Sequence, residues 1–96
     1  MEQKREITIK AKDEDLKGFY SNLVQISHTK EEFCLDFFNV FPPQGVLSAR
    51  VIISPSHLKR MIRAMEENLR KYEEKYGNIE ESEGVSGTIG FQPNNS

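Results

Sequence analysis

Ala49-Arg50-Val51-Ile52-Ile53 runs straight into Ser54-Pro55-Ser56-His57-Leu58-Lys59-Arg60, and this junction decides the fold. The first five residues read as a strand, with three β-branched side chains in a row. Ser54 suits a helix N-cap, and Pro55 suits the first helical position, where a missing N–H costs nothing. Beyond it Leu58, Met61, Ile62, Met65, Leu69, Tyr72 and Tyr76 recur at helical spacing. Gly77 stands where a left-handed cap would end the helix. Glu66–Arg70 and Glu67–Lys71 are i, i+4 pairs off the apolar stripe, worth a few tenths of a kcal/mol each.

Upstream the period changes from helical to alternating. Glu6 to Ala11 (Glu-Ile-Thr-Ile-Lys-Ala) predicts a half-buried first strand, and Asp13-Glu14-Asp15 a solvated charged turn. A second strand is expected over Phe19 to Ser27, a reversal at His28-Thr29-Lys30-Glu31, and a third strand over Phe33 to Phe41. Pro42-Pro43-Gln44-Gly45 is the clearest turn in the chain, leading to a fourth strand from Val46 to Ile53. Short connections favour antiparallel neighbours. The expected fold is therefore α+β: a four-stranded antiparallel meander followed by one long C-terminal helix on one face. Residues 1–79 form the domain in this reading, and residues 80–96, rich in Gly, Ser, Glu and Asn, a flexible tail. A weaker reading makes Gly87 to Phe91 a short strand on a sheet edge.

Cross-strand register follows from keeping charge away from grease. Pairing Phe37 with Ala49 sets Phe33, Leu35 and Phe37 beside Ile53, Val51 and Ala49, and places Asp36 opposite Arg50 on the other face. A one-residue slip would seat Asp36 among apolar neighbours. Across the first reversal Ile26 is expected opposite Phe33 and Val24 opposite Leu35. One face then reads Tyr20, Val24, Ile26, Phe33, Leu35, Phe37, Ala49, Val51 and Ile53, and the helix stripe is expected to cover it. The other face carries Phe19, Leu23, Cys34, Phe38, Val40, Val46 and Ile52, with no second helix to cover them.

Apolar surface of that extent is seldom left in water on a monomer, and a chain of 96 residues builds only a modest core. Self-association is expected, as a homodimer or higher, through Phe19, Leu23, Phe38, Val40, Val46 and Ile52. A helix of about 22 residues spans ~33 Å, longer than an eight-residue strand at ~27 Å. Leu69, Tyr72 and Tyr76 at its far end are therefore expected to overhang and join the contact.

Composition excludes more than it assigns. A net charge of -2 gives no general pull toward nucleic acid or anionic membranes. Lys59, Arg60 and Arg63 form the one basic cluster, a possible nucleic-acid contact without interleaved aromatics, and cations near a helix start oppose the macrodipole. His28 and His57 stand apart from any ligand spacing, so no metal is expected. Cys34 is the sole cysteine and lies in an apolar strand without a paired base, which reads as an inert thiol. Asp36 lacks a second acid, and Asn68 sits at the stripe's margin. No phosphate loop or nucleophile elbow is present, so neither enzymatic activity nor a cofactor is expected. Without an apolar leader or a span of ~20 apolar residues, the expectation is a cytoplasmic protein whose partners are itself and another protein, with nucleic acid second and membrane excluded.

Residues 20–79 resemble an uncharacterised family of short prokaryotic domains of unknown function. The matching blocks are Tyr20-Ser21-Asn22, Ile26-Ser27-His28, Glu32-Phe33 with Asp36-Phe37, Ala49-Arg50-Val51-Ile52 leading to Ser54-Pro55-Ser56-His57, and Asn68 with Tyr72-Glu73 and Gly77. The resemblance implies a small α+β domain and brings no catalytic or binding residues. The layout of sheet plus long helix is also similar to the tetrameric export chaperones of the SecB type, in architecture alone. The leading expectation is a non-enzymatic, self-associating protein-interaction or assembly module, with chaperone-like holding of extended segments as a variant. An accessory role on nucleic acid through the basic helix start is the alternative.

Overall fold

A computed structural model describes residues 5–85 and 87–92. The elements are α1 (Asp13–Lys17), β1 (Leu23–His28), β2 (Phe33–Phe41), β3 (Gln44–Ile53) and α2 (Pro55–Tyr76). Among the described residues three strands, rather than the expected four, form an open antiparallel sheet in the order β1-β2-β3. The fold is α+β. Among the described residues no helix is long and apolar enough to cross a membrane.

The missing strand is Glu6–Ala11, which has neither helix nor strand and leaves Ile7 and Ile9 exposed. Alternation makes a stretch strand-capable, but pairing is what stabilises a strand. This segment is paired with neither β1 nor β3, the two edges of the sheet. The acidic turn proves to be the single helical turn α1, opened by Lys12 N–H donating to the Asp15 carboxylate at 3.2 Å. Gly18, at φ 74°, ends it in a conformation that favours glycine.

β1 starts at Leu23 instead of Phe19 because Asn22 substitutes side chain for backbone. Its Nδ2 donates to Val40 O and its Oδ1 accepts from Val40 N–H, both at 2.9 Å. Ser21 Oγ donates to Phe38 O at 3.0 Å. Phe19 and Tyr20 fall outside the sheet and are exposed.

The β2–β3 register is the expected one from Phe33↔Ile53 to Phe37↔Ala49, with Asp36 opposite Arg50. The β1–β2 register lies two residues from expectation, Ile26↔Leu35 and Val24↔Phe37. A shift of two keeps every side chain on its face, because the pleat repeats every second residue. The turn between β2 and β3 is Pro42–Pro43, with that peptide cis, and Gln44 and Gly45 already belong to β3. A bulge between Phe37 and Phe38 absorbs the difference, pairing Phe38 with Leu47 and leaving Ser48 as the extra residue. Leu47 thereby joins Leu23 and Phe38 on the second face, and Val46 moves to the first, opposite Asn39. Placing Val46 on the second face was the consequence of a bulge-free hairpin.

Ser54 caps α2 as expected, its Oγ accepting from His57 N–H at 3.1 Å. At the other end Gly77 has φ 92°, and its N–H donates to Glu73 O at 2.9 Å. Glu67–Lys71 forms at 3.4 Å, whereas Arg70 turns away from Glu66 to pair with Glu74 at 2.8 Å. The helix does not cover the first face as expected. No residue of α2 is buried, and Leu58 and Met61 in its first two turns are the half-buried members of the stripe. The substantial contacts between elements all run within the sheet. The buried apolar side chains are Leu35, Ile53 and Phe38.

Candidate functional site

Two apolar surfaces dominate the molecule. On the first sheet face Leu35 and Ile53 are buried, yet Val24, Ile26 and Val51 remain 43%, 53% and 41% exposed. The α2 stripe offers a second strip of the same character: Ile62, Met65, Leu69, Tyr72 and Tyr76 are exposed, and the rings of Tyr72 and Tyr76 meet in a tilted contact with centroids 4.9 Å apart. On the same face, at the hairpin end, Asn39 has a buried side-chain oxygen with no hydrogen-bond partner among the described residues.

The second face holds a polar group set into apolar surroundings. Asp36 accepts from Arg50 Nε at 2.6 Å and Nη2 at 2.9 Å, a bidentate pair in which the carboxylate is buried and the guanidinium half-exposed. Those bonds hold the Asp36 carboxyl below its ordinary pKa and outweigh its partial desolvation, which acts upward. Cys34 Sγ lies 3.5 Å from Asp36 Oδ1 and donates to it. Desolvation first, and then that carboxylate, push the thiol up. Such a thiol is a poor nucleophile at neutral pH.

Beside this pair the chain folds back on itself. The Phe91 ring packs on Phe38 with centroids 5.8 Å apart, and the Arg50 guanidinium lies 5.9 Å from the Phe91 centroid. Ile89 beside it is half-buried, while Phe91 itself stays exposed. Thr88 to Gln92 thus line a groove of about 580 Å³ together with Phe38, Val40 and Leu47. Gly87 to Phe91 is not a strand; side chains hold the segment down.

The residues singled out for self-association lie in three places. Leu23, Phe38, Val40 and Ile52 share the second face, where Phe38 is 5% exposed and Ile52 55%. Val46 has changed face, and Phe19 is outside the sheet. Leu69, Tyr72 and Tyr76 stand on the free length of α2. Lys59, Arg60 and Arg63 are exposed at its start, with Arg60 Nη1 donating to Ser56 Oγ at 2.7 Å. His28 lies in a tilted contact with Phe33, centroids 5.2 Å apart, and Asn68 Nδ2 donates to Ala64 O, a local bond. Among the described residues no group of His, Cys, Asp and Glu could hold a metal ion. Sequence reasoning missed Phe91, although Ile89 and Phe91 at i, i+2 were the largest apolar groups in a polar tail.

A family model described as "Protein of unknown function (DUF3467)" matches residues 1–81, a longer span than the resemblance over 20–79. No curated protein and no solved structure matches, so nothing supports the likeness in layout to SecB-type chaperones.

Proposed function

For this chain, which belongs to the DUF3467 family of proteins of unknown function, we propose a non-enzymatic, self-associating protein-interaction module whose first partner is a second copy of itself. The observation that carries this reading is surface area. The chain exposes 9626 Å², whereas a folded monomer of 11.1 kDa exposes about 5,700 Å². Relative to about 16,000 Å² for the unfolded chain, it buries roughly two fifths, against about 60% for even a 60-residue domain. Its radius of gyration is 17.0 Å, where a compact chain of this length has about 12.5 Å.

The excess of nearly 4,000 Å² per chain is more than the roughly 1,000–2,500 Å² that an obligate homodimer interface removes from each partner; the exposed segments before β1 and after α2 account for part of it, and the sheet face and helix stripe for the part a partner can cover. The surfaces that need covering also match each other. A half-covered apolar sheet face and an unpartnered apolar helix stripe, carried by one chain, satisfy both needs when a two-fold axis lays each helix against the partner's sheet. The nucleic-acid alternative has less behind it: three exposed cations on one helix start, in a chain of net charge -2.

Light scattering tests the reading. The native chain should show twice the 11.1 kDa mass, and Met65→Asp, at an exposed stripe position, should restore the monomer. Phe38, named above for self-association, is buried within its own chain, so charging it would unfold the sheet rather than report on association. A monomeric native chain at working concentration refutes the proposal.

A further inference from the structure

We propose that the Phe38–Arg50 surface of the second sheet face is a peptide-binding site, and that the chain's own Thr88–Gln92 segment, which forms one wall of the groove there, covers it as a replaceable ligand. The ligand class is an extended, uncharged segment of another protein carrying one aromatic side chain among small or aliphatic neighbours. This rests on the interaction-module reading but not on two-fold association, which uses the opposite face and α2.

The tail shows what the groove recognises. Among the described residues from Glu80 to Gln92 there is neither helix nor strand, so no secondary structure holds Phe91 in place. Its ring centroid nevertheless lies 5.8 Å from that of an apolar side chain, Phe38, and 5.9 Å from a cation, Arg50. An aromatic face offers both dispersion contact to the first and its quadrupole to the second. Asp36 fixes the Arg50 guanidinium through two hydrogen bonds and balances its charge. The seat is specific in chemistry and loose in fit: Phe91 keeps 59% of its surface exposed, and about 580 Å³ stays open between tail and hairpin. A bulkier or better-ordered segment has room to replace it.

Tethering makes the tail a weak gate. A ligand on a short flexible linker has an effective concentration near the millimolar range. A surface whose intrinsic dissociation constant lies about tenfold below that concentration is roughly nine-tenths closed by its own tail, and opening it raises apparent affinity about tenfold.

The test titrates a fluorescent peptide of residues 84–92 with the full native chain and with full-length Phe91→Asp, following anisotropy. Phe91→Asp should bind the peptide about tenfold more tightly than the native chain, and a peptide with alanine in place of its phenylalanine should bind neither. Equal affinities for the two chains, or no binding by Phe91→Asp, overturn the proposal. A measurement without substitution runs alongside: about 1 mM peptide, equal to the effective concentration of the tail, should move the Ile89 and Phe91 amide resonances of the native chain about halfway to random-coil positions, and unmoved resonances overturn it equally. Solution mass on the same samples keeps the two readings apart, since tenfold discrimination by a monomer supports the groove while refuting the dimer.

Discussion

Replacing Leu69 by alanine removes an isobutyl group from the middle of the free length of α2, where the side chain is 47% exposed. Fully burying a leucine side chain contributes about 2 kcal/mol. Association covers roughly the exposed half, about 1 kcal/mol, and a two-fold interface counts the position twice, giving about 2 kcal/mol per dimer. The dimer dissociation constant should rise about 30-fold. Since no residue of α2 is buried in its own chain and alanine is the better helix former, helical circular dichroism should be unchanged. Sedimentation over a dilution series reads the shift. Glu67→Ala, on the opposite side of the helix, breaks only a surface ion pair and should leave the constant within about twofold. If Leu69→Ala dimerises like the native chain, the stripe is not at the interface and the pairing of helix with partner sheet is wrong.

The Asp36–Arg50 pair should make stability acid-sensitive. Because Arg50 lowers the folded-state pKa of Asp36, its contribution is present above the unfolded value and is lost as pH falls through the folded one, below about pH 4. Asp36→Asn should flatten the thermal midpoint against pH there, and an unaltered slope would assign the acid sensitivity elsewhere. Cys34, with its pKa raised by desolvation and the Asp36 carboxylate, should alkylate at pH 7 more slowly than a free thiol in solution; equal rates would contradict its placement. Asn22→Ala deletes two hydrogen bonds to Val40 and should cost about 1–2 kcal/mol in denaturant unfolding, fraying β1 from its first residue, with Leu23 amide exchange as the local readout.

Local signals in the chain were strong where one residue type has few alternatives. Ser54-Pro55 and Gly77 bounded α2 at both ends, since capping chemistry acts within a single turn. Asp36 opposite Arg50 was readable because a slip by one would bury a carboxylate among apolar side chains. Ile7 and Ile9 show the limit of such reading: their alternation marks a segment able to pair, but whether it pairs depends on edges elsewhere. At the candidate sites, Leu69, Tyr72 and Tyr76 were recognisable from helical periodicity, whereas Ile89 and Phe91 marked only a segment able to pack on the sheet, not the side chains that would seat it.

Sequence alone determined the elements that depend on neighbours in the chain: the long helix with its caps, the β2–β3 pairing, and the α+β class. Tertiary structure decided the bulge at Ser48 that moves Val46 between faces, the seat of Phe91 on Phe38 and Arg50, and how little of the sheet α2 covers. Caps, turns and charge pairs are settled by a few adjacent side chains, while the burial of an apolar face depends on every surface that can reach it, including those of another molecule.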